Sequence, residues 1–179
     1  EKNGVTVEQV IQLPYIRDDV FNYLPVTEIN RDFGCDYQIQ EGEFLNLFQY
    51  NLEDGYEHNI QPVSTVTISG DRKLQSVGTD VKILFNQNPT FADKTLIIND
   101  SDFEKLSADI TGSAGIANLF QFQNWEDSYA GVCEVKEYLQ ESNQLNEDEQ
   151  TYYELSSKVE KYQDAKKSGQ FLLFLMAFV

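Results

Sequence analysis

Histidine and cysteine are scarce in this chain, and their scarcity excludes more chemistry than any motif supports. His58 is the single histidine, and Cys35 and Cys133 are the two cysteines. A zinc site of Cys and His takes four ligands, so three such residues cannot complete one without carboxylates. A histidine-based triad would have to use His58, which lies in the polar stretch "EDGYEHNI" and is expected to be solvated. P-loop, GxGxxG and GxSxG patterns are also missing. No catalytic residue, metal or cofactor is therefore expected. Neither cysteine has a CxxC partner. We expect both thiols to be free, with Cys35 opening a strand and Cys133 filling a small core space beside Val132 on a helix. A single bridge between them is the alternative.

Cationic residues are the second shortage. Lys and Arg total 13 against 30 Asp and Glu, for a net charge of −17. Phosphate backbones would be repelled, which argues against nucleic acid as a partner. Adsorption to an anionic membrane surface is disfavoured for the same reason. A cationic partner would be attracted and steered. Solubility alone is the other use of such a surface.

Long apolar runs are missing with one exception. The opening "EKNGVTVEQV" is polar and β-like, unlike a signal peptide. After the polar "KVEKYQDAKKSGQ" come nine apolar residues, "FLLFLMAFV", 171–179. That is about half of a membrane-spanning helix. Two readings stand: a buried terminal helix or strand, or the start of a transmembrane helix with Lys166 and Lys167 at the membrane interface. Under the second, 1–168 is one domain and 169–179 begins the membrane segment. At 179 residues the chain makes one domain or two small lobes, taken as about 1–50 plus 95–168, and 51–94.

What the chain does contain is an internal echo. "DYQIQEGEFLNLF" (36–48) aligns with "TLIINDSDFEKLS" (95–107), Tyr37 lying over Leu96 and Phe44 over Phe103. Each reads as a strand, an acidic turn and a helix start. In the second copy Ser101 and Glu104 have capping-box spacing. Asp100 and Asp102 suit the helix dipole, and Phe103 and Leu106 share a helical face. We expect Phe44 and Phe103 to be buried at equivalent strand–helix corners. Asn99-Asp100-Ser101 is also a glycosylation sequon, a pattern frequent by chance.

Elsewhere, residues 4–13 suit a strand burying Val5 and Val7, with Val10 and Ile11. Residues 15–24 carry Ile16, Val20, Phe21 and Leu24 at helical spacing, closed by Pro25. "VSTVTIS" and "KLQSVG" flank Gly70-Asp71 as a hairpin, and "DVKILFN" suits a further strand. "QNPTFADK" and "DITGSAG" read as loops, and "IANLFQFQNW" as a strand with Ile116, Phe120 and Phe122 partly alternating. Two late helices follow. The first starts at Asn124 or Asp127 with Val132, Val135 and Leu139 on one face. The second starts near Asn146 with a stripe of Tyr152, Leu155, Val159 and Tyr162. The class is α+β, a mixed sheet with strand–helix units and two late helices.

Taken together, "CDYQIQEGEFLNLF", "TLIINDSDFEKL", the late "FQFQNW" strand and the "AKKSGQ" approach to an apolar run resemble the large extracellular domain of FtsX-like ABC transporter permeases. The bacitracin-export (Bce) branch is the nearest in pattern. The likeness covers most of 35–179, and residues 50–94 match worst. It implies a domain held outside the cell membrane, binding or sensing peptide antibiotics or their lipid-linked targets in a bacterium. ATP hydrolysis would belong to a separate cytoplasmic subunit, with a sensor histidine kinase as a further partner. An extracellular protein partner of a mechanical module is the alternative. On either, the domain itself is not an enzyme. For a cationic peptide the candidate contacts are Glu53, Asp54, Tyr56 and Glu57, since a loop rich in acid and aromatic side chains is a poor core. A solvated turn is the other reading of that loop.

Overall fold

The computed structural model describes residues 6–48, 62–68, 71–82, 84, 95–109, 112–145, 155 and 157–176. Among them one seven-stranded mixed sheet forms from β1 (Val7–Arg17), β2 (Asn22–Pro25), β3 (Glu43–Phe48), β4 (Thr65–Ile68), β5 (Arg72–Val81), β6 (Thr95–Ile98) and β7 (Ser113–Phe122). The spatial order is β4-β5-β3-β6-β2-β1-β7. Helix α1 (Val26–Phe33) follows β2 directly, and α2 (Asp100–Ala108) follows β6. After β7, a 3-10 turn (Trp125–Ser128) leads into α3 (Tyr129–Leu145), and α4 (Lys158–Met176) is last. The class is α+β, with the two long helices late in the chain.

β6 explains why the sheet is mixed. Its four residues are all buried, as a short apolar run covered on both faces must be. It pairs antiparallel with β3, Leu45 opposite Ile97, and parallel with β2, Tyr23 beside Leu96. Strand alternation sends Leu96 and Ile98 to one face and Ile97 to the other. The first face packs with Ile16, Tyr23, Phe44, Ile68, Leu74 and the α2 residue Leu106. The second packs with Leu13, Leu24, Leu47 and the α1 residues Val26 and Ile29. Each of the two short helices thus covers one face of the sheet.

The chain divides into two compact units, Ile11–Leu119 and Glu1–Val10 with Phe120–Val179. Both core clusters lie in the first. The described part of the 51–94 segment, expected as a lobe, contributes β4 and β5 to the common sheet. Among the described residues of the second unit, Val132 of α3 and Val159 of α4 are the buried apolar ones.

Several local expectations are corrected. "PYIRDDVFNYLP" is strand, turn and strand, not a helix. Asp18 decides this: its Oδ1 accepts from the backbone N–H of Val20 (2.7 Å) and Phe21 (2.6 Å), which closes a turn. The hairpin sets Ile16 opposite Tyr23. In β1 the core is reached only from Ile11 onward, so Leu13 and Ile16 are buried while Val7 and Val10 are exposed. Of "DVKILFN", expected as a further strand, Asp80 and Val81 end β5, and residues 83, 85 and 86 lie outside the described residues. The β4–β5 hairpin forms as expected, with Val66 opposite Leu74.

In β7 the covered side chains are Ala117 and Leu119, while Ile116 and Phe120 face out. Of the expected α3 stripe, Val132 is buried and Val135 exposed. The start of the last helix near Asn146, and Tyr152, lie outside the described residues. Leu155 precedes α4, and Tyr162 is exposed rather than core. Cys35 and Cys133 are free; Cys35 lies between α1 and β3 rather than in a strand, and Cys133 is on α3.

The internal echo fails in its first copy. Gly42 has a φ of 87°, and Glu43 N–H donates to Gln40 O at 3.0 Å, so a tight turn feeds a strand and not a helix. The second copy is strand then helix, as expected. Its cap is Asn99 rather than Ser101: Asn99 Oδ1 accepts from Ser101 N–H at 2.9 Å. Asn99 Nδ2 meanwhile donates to Ile39 O at 2.9 Å. The amide that glycosylation would modify is thus already engaged in the fold. The two copies are sheet neighbours, with Phe44 opposite Ile98.

Phe44 is fully buried, whereas Phe103 is only partly buried at the edge of the same cluster. Phe44→Ala should therefore cost about 3–5 kcal/mol, and Phe103→Ala clearly less. Urea unfolding of both variants measures this; equal losses would restore the equivalence of the two sites.

Candidate functional site

Glu53, Asp54, Tyr56 and Glu57 lie outside the described residues, as does His58. The structure therefore brings together other groups, in three places within the first unit and one within the second.

The tightest is a charged clasp on the α2 face. Asp102, in the first turn of α2, has a fully buried side chain. Its Oδ2 accepts from Gly42 N–H at 2.7 Å, and its Oδ1 pairs with Arg72 Nη2 at 2.7 Å. Arg72, at the start of β5, also reaches Glu41 at 2.6 Å, and Lys105 of α2 reaches the same Glu41 oxygen at 2.5 Å. Two acids and two bases thereby tie α2, the turn before β3 and the β4–β5 hairpin together. Hydrogen bonds from Lys105 and then Arg72 hold the Glu41 carboxyl down at about 2. Asp100, two residues before Asp102, accepts from Thr27 N–H at 3.2 Å and from the Thr27 hydroxyl. It supplies the first turn of α1 with the acceptor that Pro25, its N-cap, lacks.

The second place is Asn46 on β3, which is buried. Its Nδ2 donates to Ser76 Oγ (2.8 Å) and Val63 O (3.0 Å), and its Oδ1 accepts from Val63 N–H (3.0 Å). It fixes the approach to β4 and the irregularity where β5 slips one residue against β3 between Phe44 and Leu45. The third lies beside α1. Tyr37 donates its hydroxyl to Asp80 Oδ2 at 2.5 Å, and Lys82 Nζ donates to Cys35 Sγ at 3.0 Å. Burial, then the bond to Asp80, pushes the Tyr37 hydroxyl well above its ordinary range. Tyr23, bonded to Asp18 Oδ2 at 2.7 Å, is pushed up likewise, first by burial. Tyr37 with Asp80, Lys82 with Cys35, and Tyr23 with Asp18 are thus paired within the fold, whereas Arg72 Nε in the clasp is buried with no hydrogen-bond partner among the described residues. Among the described residues no three His, Cys, Asp or Glu side chains are grouped to hold a metal ion.

The second unit differs in leaving its aromatic groups open. Trp125 meets Tyr162 edge to face, with ring centroids 5.4 Å apart at 83°. Lys158 Nζ stands 4.0 Å above the Trp125 ring, and Lys167 Nζ lies 6.0 Å from the Tyr129 ring. Lys136 of α3 pairs with Glu160 of α4 at 2.7 Å, which raises the lysine's pKa, chiefly through that hydrogen bond. Tyr129 and Tyr162 remain 37% and 41% exposed. The sequence did carry a signal for this row. Trp125 and Tyr129 are four apart, as are Lys158 and Tyr162, so each pair shares a helical side. Compared with known proteins, the chain matches no family and no curated protein.

Two outcomes test the clasp. Asp102→Ala strips Gly42 N–H and Arg72 of their acceptor, and should cost about 3 kcal/mol. That is the low end for a broken buried pair, because Arg72 keeps a third of its exposure and its Glu41 contact. A loss under about 1 kcal/mol in urea unfolding would show that the clasp does not hold the fold. Glu41 has a depressed folded pKa of about 2, so its contribution is present above the unfolded carboxylate value and is lost as pH falls through about 2. Glu41→Gln should therefore be less stable than the parent at pH 6 and converge with it toward pH 2. A gap that persists at pH 2 would assign the effect to something other than charge.

Proposed function

We propose that this chain is the extracellular domain of an FtsX-like ABC transporter permease, which binds or senses cationic peptide antibiotics or their lipid-linked targets. One observation carries the proposal. α4 runs unbroken from a polar helix into the apolar run that begins at Phe171, with Lys166 and Lys167 just before it. Among the described residues no helix is long and apolar enough to cross a membrane. The apolar part through Met176 is about 9 Å long at 1.5 Å per residue, enough to enter a bilayer and too short to span it. A polar helix that turns apolar behind a pair of lysines can join a domain in water to a segment within a membrane, the lysine heads reaching the interface.

The net charge of −17 supplies the second half of the proposal, since it favours a cationic ligand and opposes anionic lipid and wall polymer. Glu53, Asp54, Tyr56 and Glu57 remain the proposed contacts. Hydrolysis of ATP belongs, on this proposal, to a cognate cytoplasmic subunit, and a sensor histidine kinase is a partner of the full-length permease.

The test is a titration of the chain with a cationic antimicrobial peptide, beside neutral and anionic peptides of the same length. Only the cationic peptide should bind, and its affinity should fall as salt rises from ~0.15 M, where the screening length is already about 8 Å, toward 1 M. Glu53→Gln, Asp54→Asn and Glu57→Gln together should slow association more than they speed dissociation. Equal binding of all three peptides, or affinity indifferent to salt, would leave the acidic surface a matter of solubility alone.

A further inference from the structure

Two contacts fix how α3 lies along α4. Tyr129 meets Lys167, and seven residues further along α3, Lys136 meets Glu160, seven residues earlier in α4. The helices are therefore antiparallel and in step. The first turn of α3 is level with the end of α4 that leads into the apolar run. The acids of α3, Glu134, Glu137 and Glu141, follow in the opposite direction.

The distances along α4 can be counted. Lys167 precedes Phe171 by four residues and Tyr162 precedes it by nine. At 1.5 Å per residue these are about 6 Å and about 13 Å. A bilayer's hydrocarbon core is about 30 Å thick, or about 40–45 Å with its headgroups, which leaves roughly 5–7 Å of headgroup layer on each side. If Phe171 marks the edge of the hydrocarbon, Tyr129, beside Lys167, falls within the headgroup layer. Trp125, beside Tyr162, falls outside it.

Chemistry agrees with the distances. Tyr and Lys are the side chains that settle at that depth, an apolar body with a polar tip. Lys166, Lys167 and Tyr129 are all exposed there. The turn that carries Trp125 also carries exposed Glu126 and Asp127, which anionic headgroups repel.

We infer that Tyr129, Lys166 and Lys167 form a seat in the phospholipid headgroup layer, which sets the second unit upright on the bilayer and keeps Trp125 in water. The inference rests on the membrane placement of the apolar run proposed above. It goes further by fixing which residues touch lipid and at what depth.

Trp125 is the single tryptophan, so fluorescence reports one site at a time. The 179-residue chain is reconstituted into vesicles of phosphatidylcholine and phosphatidylglycerol, with or without brominated acyl chains, and iodide is added outside. Four proteins are compared: the parent, and Trp125→Phe combined with Tyr129→Trp, Lys167→Trp or Phe171→Trp. The Phe171→Trp protein should be quenched strongly by bromine and little by iodide. The Tyr129→Trp protein should show blue-shifted emission, be quenched by bromine placed shallowly in the acyl chain and be partly shielded from iodide. Lys167→Trp probes the same contact from its other side and should behave likewise, including where Tyr129→Trp disturbs the helix pair. The parent should respond to iodide alone. If Phe171→Trp is quenched by bromine while both Tyr129→Trp and Lys167→Trp behave as the parent does, the seat is overturned and the membrane placement survives. If Phe171→Trp escapes bromine, both fall.

Discussion

A four-residue strand with no exposed side chain constrains everything else in the first unit. β6 has one neighbour running with it and one running against it, and its two faces belong to different core clusters. Lengthening it by a residue or slipping its register by one would exchange those faces. The helix that follows must then start at Asp100, because Asn99 is committed at once to Ser101 N–H and to Ile39 O. With that start fixed, Asp100 arrives at the N-terminus of α1 and Asp102 at Gly42 and Arg72. The acids that the sequence places at one helix terminus are thereby shared among three elements. In this unit polar order is a consequence of apolar placement.

Much of this was legible in the sequence, for identifiable reasons. The second copy of the echo was read correctly as strand then helix because "TLII" is too short and too β-branched for a helix, and "NDSD" signals a helix start. The cap was displaced by two residues because Asn, Asp and Ser all cap well, and only the contact with Ile39 selects Asn99. The first copy was misread because "EFLNLF" is buried on both faces. Phe44 and Leu47, three apart, then satisfy a helical period as well as a strand, and periodicity alone cannot separate the two. The same ambiguity misled over residues 15–24, where the deciding group was one carboxylate, Asp18, accepting from the N–H groups of Val20 and Phe21. Side-chain capture of a backbone turn competes with helix and leaves little trace in hydrophobic spacing.

The aromatic row of the second unit was missed for a different cause. Tyr162 fell into an apparent stripe with Leu155 and Val159, and amphipathic stripes are usually core. Aromatic side chains satisfy such a stripe and also serve at boundaries between apolar and wet surroundings, so hydropathy does not separate the two uses. What distinguishes them here is charge on a neighbouring helix: Lys158 and Lys167 lie on the rings of Trp125 and Tyr129. Such a pairing between segments about thirty residues apart becomes visible only when α3 and α4 are laid side by side.

The division of the chain bears on how it comes into being. The unit Ile11–Leu119 interrupts the other, whose first ten residues are separated from the rest by its whole length. Its core clusters draw on no residue beyond Leu119. Everything that this unit requires is therefore outside the ribosome once Leu119 has emerged, while later residues are still being added, and domains complete in sequence tend to fold as they emerge. The start of β1, Val7–Val10, belongs with residues that follow Leu119 and must wait for them. The protein is thus built from its middle outward: the two core clusters around β6 and the two short helices form first, and the part that carries α3 and α4 forms last.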